Sequence, residues 1–420
     1  MNAFRRSASS LLRALGSITH PLPNLLEDRP TISYERNKLK GEGVTAVAGQ
    51  RMERRVAIKA KSDDVEHGEA LPAAVEQWLA THVAGYEGPG TLHKFGFGQS
   101  NPTYRLRAAS GDYVLRRKPF GPLLPKAHAI EREFRVLDAL RDSGVPVPRV
   151  HCLCENVTLL GAAFYVMDFV EGRIFYDQRL PGLDAGERAA IFDAMNAAVA
   201  SLHSADPTQI GLSDYGRPER FLERQVQLWT RQYRASEGER CEAMERLIEW
   251  LPQHLPSDQL PRIFHGDLRL DNMIFHPTEP RVIALLDWEL STIGDPLADF
   301  AYHAMAWRVG ADLFRGFDDL DRPALGIPQE DEYVGRYCER TGLDRIDHWN
   351  FYLAFSLFRV GAILQGVWKR AQDGQASAVD AGVVGAKSHP LAEIGWRIAQ
   401  GDPPSESQLA VRQDRENGRA

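Results

Sequence analysis

Residues 265–275 read HGDLRLDNMIF. Asp267 follows His265 by two positions, Asn272 follows Asp267 by five, and the apolar run Met273, Ile274, Phe275 comes directly after. Beyond the turn sequence PTEP (277–280), VIALLDW (282–288) is a second apolar run that closes on Asp287. Two short apolar runs around a proline-bounded turn predict two strands. Strands on both sides would hold Asp267, Asn272 and Asp287 at one edge of a small sheet. Three oxygen-bearing side chains there can position a hydroxyl and a hard cation. Magnesium takes carboxylate and amide oxygens together with substrate phosphates, and phosphoryl transfer needs positioning and charge neutralisation more than covalent chemistry. The plainer alternative is that Asp267 and Asn272 cap turns and Asp287 caps the segment after its strand.

The remainder of the chain frames this stretch. At 420 residues it is long enough for two lobes with a cleft between them. Apolar residues at 43% and charged residues at 25% describe an ordinary globular protein. A formal charge of -7 and a pI near 6.0 leave no overall basic footprint for nucleic acid, which is not expected as a partner. The cysteines, Cys152, Cys154, Cys241 and Cys338, are too scattered for a disulfide framework and fit a reducing compartment. Cys152 and Cys154 beside His151 lack a fourth ligand at zinc spacing and read as packing. FYLAFSLFRVGAILQGVW (351–368) approaches membrane-span length but carries Arg359 and Gln365, so a buried helix is expected and no membrane. The first 26 residues contain no acidic residue but include Arg5, Arg6 and Arg13. They read as an organellar leader or as an extension from an upstream start, with Met52 as a candidate true start. The expected location is cytoplasmic, or mitochondrial if the leader is genuine.

Residues 1–69 lack periodicity and read as an extension. LPAAVEQWLATHV, from Leu71, predicts a helix with Val75, Leu79 and Val83 at helical intervals. A β-meander follows, in which Tyr104 and Leu106 alternate, as do Tyr113 and Leu115. AHAIEREFRVLDALRDSG predicts a helix with Ala129, Ile130, Phe134 and Leu137 on one side and Gly144 as its stop. VPVPRVHCLCEN and AAFYVMDFVEG supply two more strands. Residues 70–170 therefore read as a small β-rich lobe. From 171 to 400 the chain is mostly helical, with segments at 185–204, 219–252, 294–309 and 328–372 and one β excursion around PTEP. Residues 401–420 read as a tail.

The spacing of His265, Asp267, Asn272 and Asp287 is that of a kinase catalytic loop followed by a metal-binding aspartate. HGDLRLDNMIF, followed by LLDWELSTIGDPLADFAY (285–302), resembles the aminoglycoside phosphotransferase (APH)-like branch of the protein-kinase superfamily, with D-W-E where protein kinases have D-F-G. The resemblance covers about residues 71–400. It implies an α+β, bilobal protein-kinase-like fold with a small β-rich N-lobe, a larger mostly helical C-lobe, and ATP in the cleft with Mg2+. By that resemblance Asp267 is the catalytic base, and Asn272 and Asp287 hold the metal. His265 braces the catalytic loop and Asp299 ties it to the following helix, a solvated helix charge being the alternative for Asp299. FGFGQSN (95–101) resembles the nucleotide-covering loop through Gly96, Gly98 and Ser100, with Asn101 standing where the third glycine belongs. A hairpin turn is an equal reading of those residues. In YVLR, Arg116 takes the place of the kinase lysine, with Arg117 and Lys118 as neighbouring alternatives. Glu133 matches its partner glutamate, with Glu131 as a rival. VMDFVEG resembles the hinge, whose backbone from Asp168 through Phe169 to Val170 would read adenine.

Within that branch, YVLRRKPFGPLLPKAHAIEREFRVL, HGDLRLDN and FYLAFSLFRVGAILQGVWKR are similar to the subgroup of phosphotransferase domains fused to acyl-CoA dehydrogenase-like proteins. The resemblance implies phosphorylation of a hydroxyacyl-CoA, a 4-hydroxy acid held as thioester, with a separate acyl-CoA dehydrogenase-like partner enzyme. An aminoglycoside or choline-type kinase and a non-catalytic nucleotide-binding protein are the alternatives; the intact Asp267, Asn272 and Asp287 argue against the last. An anionic CoA ester wants cationic contacts, which Arg359, Lys369 and Arg370 could offer; Arg359, Gln365 and Arg370 are the candidate substrate residues, unless the cations snorkel from a buried helix.

Overall fold

In the computed structural model the described residues are 68–95, 101–120, 129–236, 238–257, 260–374 and 381–401. Residues 1–67 and 402–420, most of the expected extension and tail, lie outside them.

The N-terminal part is an antiparallel sheet of six strands: β1 (Glu69–Ala70), β2 (Thr91–Lys94), β3 (Thr103–Ala108), β4 (Gly111–Arg117), β5 (Val150–Cys154) and β6 (Phe164–Asp168). Their spatial order is β1-β2-β3-β4-β6-β5. Strand parity decides what this sheet presents to the cleft. Tyr113 and Leu115 of β4 and Phe164 and Val166 of β6 pack with Val75 and Leu79 of helix α1 (Ala73–His82) in a small core. Val114, Tyr165 and Met167 point the other way, into a large core that includes helix α2 (Ile130–Leu140). By the same alternation Arg116 leaves β4 on the α2 side. The buried stripe of α2, Ile130, Glu133, Val136, Leu137 and Leu140, contains one charged residue, Glu133.

The C-terminal part is built from α3 (Ala185–Ser204), α4 (Phe221–Ala235), α5 (Glu242–Trp250), α6 (Pro296–Ala304), α7 (Glu330–Thr341), α8 (Trp349–Gln372) and α9 (Ser388–Ala399), with shorter helical turns between them. Helix α8 is central and packs against α4, α6 and α9. It is long and apolar enough to cross a membrane by length and composition, and its most apolar 18-residue window is 94% buried by these neighbours.

Three expected helices differ in extent. Segment 219–252 is two helices, α4 and α5, and 328–372 is likewise two, α7 and α8. Gly342 stops α7 in the left-handed region (φ 72°). Segment 294–309 is α6 followed without a break by a 3-10 turn at Met305–Arg308, and α6 starts where Asp295 caps the Leu297 N–H at 2.9 Å and Pro296 takes the first helical position. Helix α9 was not expected. The expected strands are present as β8 (Met273–Phe275) and β9 (Val282–Leu285), but they are not the sole β element here. A second ribbon pairs β7 (Arg262–Phe264) with β10 (Thr292–Gly294), and the two ribbons bracket the quoted stretch.

Candidate active site

The loop 265–272 leaves β7 and enters β8, so both ends are anchored in β-structure. Gly266 makes its first bend at φ 86°, and a Cβ there would meet Leu290 Cβ at 2.9 Å; glycine is required on both counts. Asp299, in the first turn of α6 and fully buried, accepts the His265 N–H at 2.6 Å and the Gly266 N–H at 3.0 Å. It is therefore no solvated helix charge. The Asp267 N–H donates to His265 Nδ1 at 3.2 Å, and His265 Nε2 donates to the Leu286 carbonyl at 2.9 Å. Those partners call for the neutral Nε2–H tautomer. Burial, outweighing Asp299, Asp267 and Asp287, lowers the His265 pKa and favours the same state.

Arg359 and Gln365 require correction. Both were expected on the substrate side, and both are turned into the protein because every residue of α8 from Phe351 to Val367 is buried. Arg359 Nη2 donates to the Gly266 carbonyl at 2.6 Å, and its guanidinium lies 5.1 Å from the Tyr302 ring centre and 5.5 Å from that of Trp229. It clamps the loop from behind, enclosed by aromatic faces. Gln365 Nε2 donates to the Ser236 carbonyl at 3.3 Å. Arg370 is half-buried near the end of the same helix.

Asp267 is buried, and its carboxylate is held from several directions. Arg269 Nε approaches Oδ1 at 2.8 Å and Nη2 donates to Oδ2 at 3.0 Å. Tyr302 donates to Oδ1 at 2.9 Å, and Asn272 Nδ2 donates to Oδ2 at 3.1 Å and to the Asp267 carbonyl at 2.8 Å. Burial works against the Arg269 charge, but Asp267 and Asp271 overcome it and raise its pKa; burial and then Asp267 raise that of Tyr302. Arg269 and Tyr302 were not among the expected site residues. Arg269 lies inside the quoted stretch, two positions after Asp267, so that spacing was the available signal.

Across the cleft, Arg116 pairs with Glu133 at 2.8 Å. Glu133 also accepts from Asn101 Nδ2 at 2.7 Å and from Tyr165 at 3.2 Å. Arg116 Nη1 donates to Thr103 at 3.1 Å, and Nη2 reaches Asp287 at 3.4 Å and Glu289 at 3.9 Å. Burial opposes the Arg116 charge, and Glu133, then Asp287 and Glu289, more than restore it, so its pKa rises. The rivals take other partners: Lys118 pairs with Glu131, and Arg117 donates to the Tyr104 hydroxyl at 3.0 Å. Asp287 has a left-handed backbone (φ 68°), an uncommon state for a non-glycine residue that recurs at functional sites.

Asp168 ends β6 half-exposed and bonded to His151 Nε2 at 2.7 Å. Phe169 lies under the Arg105 guanidinium at 4.2 Å, and Val170 is half-buried. Gly96, Gly98 and Ser100 lie outside the described residues. The four cysteines are buried and free.

This geometry can hold a phosphate-bearing ligand between an arginine and two oxygen donors, with a fixed carboxylate beside them. The sequence matches the phosphotransferase enzyme family (APH) over residues 91–349, and the chain belongs to that family. A solved protein from Ralstonia eutropha, provisionally described as an aminoglycoside phosphotransferase, is 49% identical with a TM-score of 0.75, covering 79% of this chain and 99% of that one. Mouse acyl-CoA dehydrogenase family member 10 is 50% identical over 333 residues, 79% of this chain and 31% of that protein. Human acyl-CoA dehydrogenase family member 11 is 41% identical over 335 residues, 78% of this chain and 43% of that protein. The chain thus spans less than half the length of these two relatives. A spectinomycin phosphotransferase solved with ADP and spectinomycin is 13% identical with a TM-score of 0.52, covering 80% of this chain and all of that one, and shares the fold.

Proposed function

We propose that the chain transfers the terminal phosphoryl group of ATP, taken with Mg2+, to the hydroxyl of a hydroxyacyl thioester, with a 4-hydroxyacyl-CoA as the favoured substrate. The observation that carries the chemistry is the Asp267 carboxylate, buried and oriented by Arg269, Tyr302 and Asn272. Asp267 accepts the proton of the acceptor hydroxyl as that oxygen bonds to the terminal phosphorus. The bond from phosphorus to the bridging oxygen breaks, and ADP leaves with the electron pair. Because the carboxylate is already oriented, little ordering is left for the moment of reaction.

Asn272 and Asp287 would hold Mg2+, and their chemistry fits it. Asn272 commits its amide nitrogen to Asp267, which leaves Oδ1 as its metal-side donor, and Asp287 offers a carboxylate. Magnesium takes few protein ligands of this hard type and completes its shell with phosphates and water. Bound there, the ion would neutralise phosphate charge. Arg116, steadied by Glu133, would meet the phosphates with its planar fork. The backbone from Asp168 to Val170 would face adenine. His265, Asp299 and Arg359 position the loop without touching the substrate.

Support for the acyl substrate comes from the acyl-CoA dehydrogenase family relatives, which match across 78–79% of this chain at 41–50% identity. An acyl-CoA dehydrogenase-like enzyme that takes the phosphorylated product belongs to the same proposal.

The test is ADP release with Mg-ATP against 4-hydroxyacyl-CoA, the free 4-hydroxy acid, choline and kanamycin, each repeated with Asp267→Asn. Release should require the acyl compound and fall about a hundredfold or more in the variant, with ATP binding retained. Release with choline or kanamycin alone overturns the substrate; undiminished release in Asp267→Asn overturns the base.

A further inference from the structure

An enzyme that holds ATP beside a base must keep that base from water, because water is an acceptor too. The Asp267 side chain is 3% exposed, and four donor atoms lie within 3.1 Å of its two carboxylate oxygens. Oδ1 has the Tyr302 hydroxyl at 2.9 Å and Arg269 Nε at 2.8 Å; Oδ2 has Arg269 Nη2 at 3.0 Å and Asn272 Nδ2 at 3.1 Å. An ionised carboxylate has about four lone-pair sites, so none is left here for the hydroxyl of an acceptor. A general base must come within about 2.6–3.2 Å of the group whose proton it takes. One of the four donors therefore has to leave before transfer.

Which donor leaves follows from what each would lose. Tyr302 is buried, and its hydroxyl has that one hydrogen bond among the described residues, so withdrawal would strand it. Asn272 Nδ2 is also tied to the Asp267 carbonyl at 2.8 Å, directly before β8. Arg269 has a second carboxylate at hand, with Nη1 3.3 Å from Asp271 Oδ2. Asp271 is itself fixed by Arg315, in the connection between α6 and α7, whose Nη1 donates to Asp271 Oδ1 at 2.8 Å. Arg269 thus spans the carboxylate it covers and another that can keep it. Its charge stays paired in either position, as a buried guanidinium requires.

We propose that Arg269 is a removable guard on Asp267. With no acceptor bound, its Nε–Nη2 edge covers the carboxylate and denies it to water; when the acceptor binds, the guanidinium turns towards Asp271 and uncovers the base for the hydroxyl. Tyr302 and Asn272 keep the carboxylate oriented in both positions. This rests on the reading of Asp267 as the base. The reaction held back is hydrolysis of ATP. In it a water oxygen bonds to the terminal phosphorus, a water proton passes to Asp267, the bond from phosphorus to the bridging oxygen breaks, and ADP leaves with the electron pair.

The experiment is phosphate release from Mg-ATP by the full chain with no acceptor present. Wild type, Arg269→Ala, Arg269→Lys and Arg269→Ala combined with Asp267→Asn are compared, each checked for folding by circular dichroism. Loss of a merely structural tie lowers this rate, whereas loss of a guard raises it. Arg269→Ala should hydrolyse ATP at least about tenfold faster than wild type, part of the hundredfold or more that a positioned base supplies, and the double variant should lose the increase. Lysine keeps a charge between Asp267 and Asp271 but has no fork, so Arg269→Lys should show a smaller increase, and it carries the test if the alanine variant does not fold. No increase in the folded single variants, with acceptor-dependent ADP release still lost in Asp267→Asn, overturns the guard and leaves the base in place. An increase that survives in the double variant also overturns the guard, since the group uncovered is then not Asp267. Undiminished acceptor-dependent release in Asp267→Asn overturns the base, and the guard with it.

Discussion

Arg116 and Arg315 are both nearly buried, with side chains 10% and 6% exposed, yet burial has opposite outcomes for them. Around Arg116 the partners Glu133, Asp287 and Glu289 exceed the cost of desolvation, and its charge is favoured. Around Arg315 one carboxylate faces both the desolvation and a second guanidinium, and its charge is disfavoured. Burial alone therefore does not say whether a buried cation's charge is favoured or disfavoured; the count of its acceptors does.

The comparison breaks most directly at Glu133. Glu133→Gln leaves the Arg116 charge buried with its main partner gone, and stability should fall by about 3 kcal/mol, read as a shift of the urea midpoint at unchanged slope. An unchanged midpoint would mean that Asp287 and Glu289 suffice for Arg116. A smaller effect is expected at His303, which is buried in α6 and whose pKa burial pushes down to about 4. Unlike an arginine, it resolves the same problem by giving up its proton. The unfolded chain binds that proton below about pH 6.5, so the contribution is complete above that pH and is lost progressively as pH falls towards 4. The acid limb of a thermal-melt pH series should be shallower in His303→Gln; an identical limb would deny that His303 is neutral when folded. The smallest effect should come from Arg315→Met, which removes a disfavoured charge while Asp271 keeps Arg269. Its stability should stay within about 1 kcal/mol of wild type, and a loss as large as that of Glu133→Gln would show Arg315 to be a structural tie after all.

The parts of this site visible in the sequence are those encoded locally. Asp267, Asn272 and Asp287 lie at short fixed spacings around two apolar runs, and strand parity and the helical stripe of α2 bring Arg116 to Glu133. The hidden parts depend on partners far apart in the chain. Strands β7 and β10 have three residues each, too few to alternate visibly, and pair across a long gap. Helix α8 is apolar all round, so periodicity assigns it no outward face and the inward direction of Arg359 leaves no trace. Asp299 reads as an ordinary charge in a first helical turn until the loop it receives is folded beside it. Arg315 occupies a connection with no period at all.

Helix α8 also carries a consequence for how the chain is made. Helices α4 and α6, which shelter part of it, are synthesised before it, but α9 comes after, and Gly395 of α9 sits so close that a Cβ there would meet Leu357 Cβ at 3.2 Å. During synthesis one apolar flank of a 24-residue helix stays uncovered until α9 has itself emerged from the ribosome. Such a nascent chain is exposed to chaperones and to self-association over that interval, and any truncation before Ser388 would make the interval permanent.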